Sequence, residues 1–123
     1  MAAPTNHASV EVVRGVTVLR LGPQFESLDE SHLDDVRELV MEVIDDAPEP
    51  RLVIDLTHTK FFGSAFLEVL FRAWNRVSKE QEGRFVLSGV TEYCREILEV
   101  THLSSLWTVY PTAEAAVADI AEE

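Results

Sequence analysis

Asp55, Thr57, Thr59 and Ser64 bring one carboxylate and three hydroxyls together in a short stretch of the chain. They fall where an apolar run, residues 51–56, gives way to a polar loop and then to an amphipathic segment beginning near Ser64. A carboxylate at the end of a strand commonly fixes the following loop by accepting backbone N–H bonds, and Asp55 is expected to give that support. A hydroxyl at a helix start can cap free amides. It can equally accept a phosphate, which the positive end of the helix then favours. Ser64 admits both readings, and Thr57 and Thr59 are either plain turn formers or alternative phosphoacceptors.

Other chemistry is sparse. Asp55 and Asp45-Asp46 are conceivable metal or acid/base groups, but His7, His32, His58 and His102 never fall into a His-x-x-x-His pattern, so no metal site is expected. The lone Cys94 excludes an intrachain disulfide and a cysteine metal cluster. A Gly-x-Ser-x-Gly elbow and a glycine-rich phosphate loop are both missing. The sequence therefore points away from an enzyme and requires no cofactor.

The elements that must position these residues have to come from one domain, because 123 residues suffice for a single core and not for two. With 46% hydrophobic and 26% charged residues the chain reads as globular, not disordered. A formal charge of -12 repels phosphate backbones, which argues against nucleic acid and anionic membranes as partners. No apolar run nears the ~20 residues that span a bilayer. Residues 1–8 lack the basic and apolar parts of a secretory signal and read as a flexible leader of a cytoplasmic protein, ahead of a domain over residues 9–121.

Residues 9–13 and 16–21 are β-branched runs around Arg14-Gly15, as in a hairpin with a two-residue turn. Ser27 and Glu30 have the spacing of a capping box for a helix to about Asp46, with Leu33, Val36, Leu39, Val40, Val43 and Ile44 as its apolar stripe. Residues 51–56 read as a central strand covered on both faces. The next helix takes Ser64 as its cap and buries Phe66 or Leu67, Leu70, Phe71, Trp74 and Val77. A strand over 84–88, a helix capped by Thr91 and running to about Val100, a strand over 106–110 and a helix opened by Pro111-Thr112 complete the chain. The expected fold is α/β, a single-layer mostly parallel sheet with an N-terminal antiparallel strand and helical crossovers, in the order β-β-α-β-α-β-α-β-α.

Ile54-Asp-Leu, Phe62-Gly-Ser-Ala, Leu67 and Val69-Leu70, with help from Leu87-Ser-Gly89, resemble the central signature of the STAS domain family of anti-sigma factor antagonists. In that family the loop reads Asp-Ser-Ser/Thr-Gly, and a partner kinase phosphorylates the second hydroxyl. Carried over by position, Gly63 stands at the Asp, Ser64 at the first Ser, Ala65 at the acceptor and Phe66 at the Gly. Alanine has no hydroxyl to phosphorylate. Phe66 either turns inward as extra core or enlarges an apolar contact patch.

The resemblance implies a non-catalytic interaction module whose loop at Gly63, Ser64, Ala65 and Phe66 docks onto a protein partner, an anti-sigma factor or a histidine-kinase-like Ser/Thr kinase. Two other classes stay open. One is a small-ligand sensor, for a nucleotide or lipid, at the same sheet edge, with Arg51, Lys60, Arg72 and Arg76 as the cations an anion would need. The other is a scaffold subunit that forms a homodimer or larger signalling assembly.

Overall fold

The computed structural model describes residues 8–28 and 30–121. The expected leader lies outside the described residues except for Ala8, which opens the first strand. Strand β1 (Ala8–Val13) and strand β2 (Val16–Leu21) form the expected hairpin. Arg14 and Gly15 have φ of 53° and 83°, the double positive φ of a turn whose twist matches the strands it joins.

The chain continues as β3 (Ser27–Leu28), helix α1 (Glu30–Asp46), β4 (Arg51–Asp55), β5 (Phe61–Phe62), α2 (Ser64–Ser78), β6 (Arg84–Ser88), α3 (Glu92–Val100), β7 (Val109–Tyr110) and α4 (Ala113–Ala121). The main sheet runs β1-β2-β4-β6-β7, antiparallel only between β1 and β2. One face buries Leu19, Ile54 and Leu87 under Val36 and Val40 of α1, Phe66 and Leu70 of α2, and Leu98 of α3. The other buries Val18, Val53 and Val86 under Ala116, Val117 and Ile120 of α4. This double cover is why residues 52–55 are apolar almost without interruption.

Three local expectations are corrected. Ser27, expected as the cap of α1, lies in β3, a two-residue strand paired in parallel with β5. The Glu26 carbonyl beside it accepts from the amides of Lys60 (2.7 Å) and Phe61 (3.1 Å), which ties this segment to the candidate loop instead of to a helix start. The last strand is only Val109–Tyr110, because the amides of Leu106 and Trp107 donate back to Leu103 and close a 3-10 turn over Leu103–Ser105. On α2 the buried stripe is Phe66, Val69, Leu70, Ala73 and Val77. Phe71 is 45% exposed and meets half-buried Trp74 at a ring separation of 5.3 Å.

Candidate functional site

The carboxyl ends of β4 and β6 and the start of α2 meet at one edge of the sheet, as parallel strands and right-handed crossovers require. At the foot of this edge the Asp55 carboxylate is nearly buried. Side-chain hydroxyls hold it: Thr57 Oγ1 and Ser88 Oγ each donate to Asp55 Oδ1 at 2.9 Å. Backbone N–H donors were the expected partners. The register explains the difference, since β4 and β6 pair Asp55 directly with Ser88 and so bring the two side chains together.

Gly89 makes room for this cluster. It has a φ of +67°, and a Cβ there would lie 2.2 Å from Thr57 Oγ1 and 2.8 Å from Asp55 Oδ1. Its amide donates to the Tyr110 carbonyl, while the amide of Leu56 donates to Ser88. The loop after β4 is thereby fixed from both sides.

Arg20 closes the network. Its guanidinium donates to Asp55 (3.5 Å), to Glu11 of β1 (3.2 Å) and to Glu114 in the first turn of α4 (3.2 Å). Partial burial works against its charge, but the bonds to Glu11 and Glu114 and the nearby Asp55 charge hold its pKa above the usual arginine value. For exposed Glu114, its own backbone N–H at the helix start and the Arg20 bond hold the carboxyl below its ordinary range. Arg20 was not among the sequence candidates, because a single cation inside a strand carries no pattern to mark it.

Above this foot lies the loop that carries the family-like motif. Gly63 is the N-cap of α2, and its carbonyl accepts from the amides of Phe66 (3.1 Å) and Leu67 (3.2 Å). Ser64 is therefore the first helical residue, not the expected cap, and α2 starts with no side-chain cap and no acid in its first turn. Ser64 and Ala65 are both exposed, whereas Phe66 is fully buried and tilts against Phe62 at 5.3 Å. The inward alternative for Phe66 is the one realised.

The two threonines separate. Thr57 is exposed, with its hydroxyl committed to Asp55. Thr59 is fully buried, which keeps its hydroxyl away from any kinase, and its carbonyl accepts from the Cys94 thiol at 3.8 Å. Burial pushes the Cys94 thiol up, against the lowering pull of Thr91 and the Phe62 backbone. The Thr91 hydroxyl accepts from the Cys94 amide, the cap expected for α3.

Beside Ser64 the edge is apolar. Phe61 and Tyr93 stack at 5.9 Å and remain 41% and 52% exposed. Phe61 faces out because its neighbour Phe62 takes the inward side of β5. Tyr93 escaped the sequence reading because nothing in sequence links the start of α3 to β5.

A shallow hollow of about 250 Å³ lies between Ser9, Arg20, Asp55, Thr57 and His58. A larger one, about 310 Å³, lies at the opposite end of β4 among Pro48, Pro50, Arg51 and Arg76, away from the loop. The four cations considered for an anionic ligand do not converge on the loop, since Arg51 and Arg76 line the far hollow. Arg51 opens β4 and donates to the Ile120 carbonyl, Lys60 pairs with Glu26, Arg72 with Glu68 and Arg76 with Asp45.

A sequence model of the STAS domain matches residues 7–116. An anti-sigma-factor antagonist (STAS) domain protein from Planctomyces limnophilus has a similar structure, with a TM-score of 0.87, 34% identity, and coverage of 94% of this chain and 98% of that one. An anti-sigma factor antagonist from Mycobacterium paratuberculosis gives 0.79 and 28% identity, with 98% of each chain covered. SpoIIAA, an anti-sigma factor antagonist in its unphosphorylated form, gives 0.77 over 94% of this chain and 97% of its own; its 19% identity speaks to the fold alone. No curated protein matches the chain. Among the described residues no helix is long and apolar enough to cross a membrane.

Proposed function

The chain belongs to the STAS domain family, and from that premise we propose that it is a non-catalytic docking module of the anti-sigma factor antagonist kind, acting in the cytoplasm. Its partner is an anti-sigma factor or a histidine-kinase-like Ser/Thr kinase, and the contact is the loop and first turn of α2 around Gly63, Ser64, Ala65 and Phe66. The two anti-sigma factor antagonists at 34% and 28% identity support this reading.

The observation that carries it is local. Ser64 and Ala65 are exposed next to the half-exposed Phe61–Tyr93 stack, so the loop presents an apolar anchor with small residues at its rim. Phe66, with its ring in the core, holds the first turn of α2 in place beneath that contact. A phosphate at position 65 would put close to two negative charges on this rim and spoil the contact. Ala65 removes that acceptor, so docking is constitutive with respect to the family's switch. Ser64 is the remaining exposed hydroxyl of the motif.

Copurification from the native host tests the proposal, with bound proteins identified by mass spectrometry and the Ser64 peptide mapped for phosphate. An anti-sigma factor or such a kinase bound to unphosphorylated chain supports it. Phosphate on Ser64 that abolishes the complex replaces constitutive docking with a switch displaced by one residue. Neither partner nor phosphate overturns the reading.

A further inference from the structure

We propose that the free edge of β1 is a homotypic interface, at which a second copy of this chain adds its own β1 antiparallel, with Val10 opposite the partner's Val10 on a two-fold axis. The inference is independent of the docking loop, which lies at the carboxyl end of β4 and the start of α2.

Among the described residues the backbone of β1 has one neighbour, β2. Val13 and Val16 flank the two-residue turn, so they form a hydrogen-bonded pair, and bonding alternates from there through Glu11 with Val18 and Ser9 with Arg20. Ala8, Val10 and Val12 consequently direct their N–H and C=O groups outward. Natural edges of this kind are usually blunted by proline, charged side chains, a bulge or a very short strand. Here the outward edge reads Ala8-Ser9-Val10-Glu11-Val12 over a six-residue strand in unbroken register, and its one charge, Glu11, is paired with Arg20 of β2.

The side chains fit the same arrangement. Val10 and Val12 share the face of Leu19, against which Val10 is paired, yet they remain 48% and 52% exposed. Pairing Val10 with the partner's Val10 places Val12 across from the partner's Ala8, so the apolar row continues over the junction. On the other face Glu11 meets the partner's Ser9, whose cross-strand neighbour is the partner's Arg20. The charge of Glu11 thus enters a row that already holds a cation. A register centred on Glu11 would instead set two glutamates opposite each other, a destabilising pair. The Val10-centred register alone pairs all five residues from 8 to 12 with acceptable neighbours.

Sedimentation of the full chain tests this. The mass should rise with concentration from 13.8 kDa toward twice that value. Val10→Lys, a change at a half-exposed position, should weaken association by about tenfold or more by setting two ammonium groups on the axis. Cysteines fix the register: Val10→Cys should form an interchain disulfide on mild oxidation, since facing Cα atoms in such a pair are about 5.5 Å apart, whereas Glu11→Cys and the parent chain, with its buried Cys94, should not. A chain that stays monomeric at high concentration overturns the proposal and leaves the edge to a strand of another protein. So does a dimer indifferent to Val10→Lys, or cross-linking through Glu11→Cys without Val10→Cys.

Discussion

Gly89 sits so close to Thr57 that a single added methyl would lie 2.2 Å from the threonine hydroxyl. The contact joins the end of β6 to the loop after β4, because the same hydroxyl donates to Asp55. Loop geometry in this chain therefore depends on a glycine that is distant in sequence.

Gly89→Ala is expected to cost roughly 2–3 kcal/mol, from the positive φ and from displacement of Thr57. Urea unfolding measures the loss. Thr57→Ser keeps the hydroxyl and should stay close to the parent. An alanine at 89 without effect would mean that the loop is not held from β6.

The aromatic residues of the loop should divide by burial. Phe66→Ala removes a fully buried ring and should cost about 3–5 kcal/mol, whereas Phe61→Ala, at a half-exposed stack with Tyr93, should cost only about 1 kcal/mol. Binding should show the reverse. Phe61→Ala and Tyr93→Ala weaken partner capture while leaving thermal unfolding close to that of the parent.

The Arg20 network makes a pH prediction. Glu114 has its folded-state pKa lowered from the ordinary 4.5, first by its own backbone N–H and then by Arg20. A lowered pKa means that the unfolded chain takes up the proton first as pH falls. The stabilisation is thus complete above pH 4.5 and fades as pH drops through the lower, folded value. Unfolding midpoints of the parent and Glu114→Gln should differ above that pH and converge below it. A gap that stays constant or widens on acidification would remove Glu114 from the network.

Much of the fold could be read directly from the chain. Residues 52–54 are apolar because both faces of β4 are covered, and Arg14-Gly15 announces its turn by the conformations such a turn demands. The parts that were not legible depend on contacts between distant segments. Ser27 has the spacing of a cap, but the Glu26 carbonyl is taken by Lys60 and Phe61, and no local pattern encodes a two-residue strand. Phe71 matches a helical stripe and is nevertheless exposed, because the buried face of α2 runs through Phe66, Val69, Leu70, Ala73 and Val77 and leaves position 71 to its side. At the site, the stretch from Asp55 to Phe66 drew attention through its own residues. Arg20 and Tyr93, and the bond from Ser88 of the Leu87-Ser-Gly89 segment to Asp55, depend on strand register and helix placement, which spacing does not encode.

The most direct test of the docking claim is capture of partners from the native host by the parent chain and by Ala65→Glu. Residue 65 is exposed in the first turn of an uncapped helix, where an acid is favourable, so the variant should fold as well as the parent. The parent should retain an anti-sigma factor or histidine-kinase-like Ser/Thr kinase, and the glutamate should reduce its recovery about tenfold or more. Equal recovery by the two proteins would contradict the docking claim, and the contact would then have to lie elsewhere on the molecule.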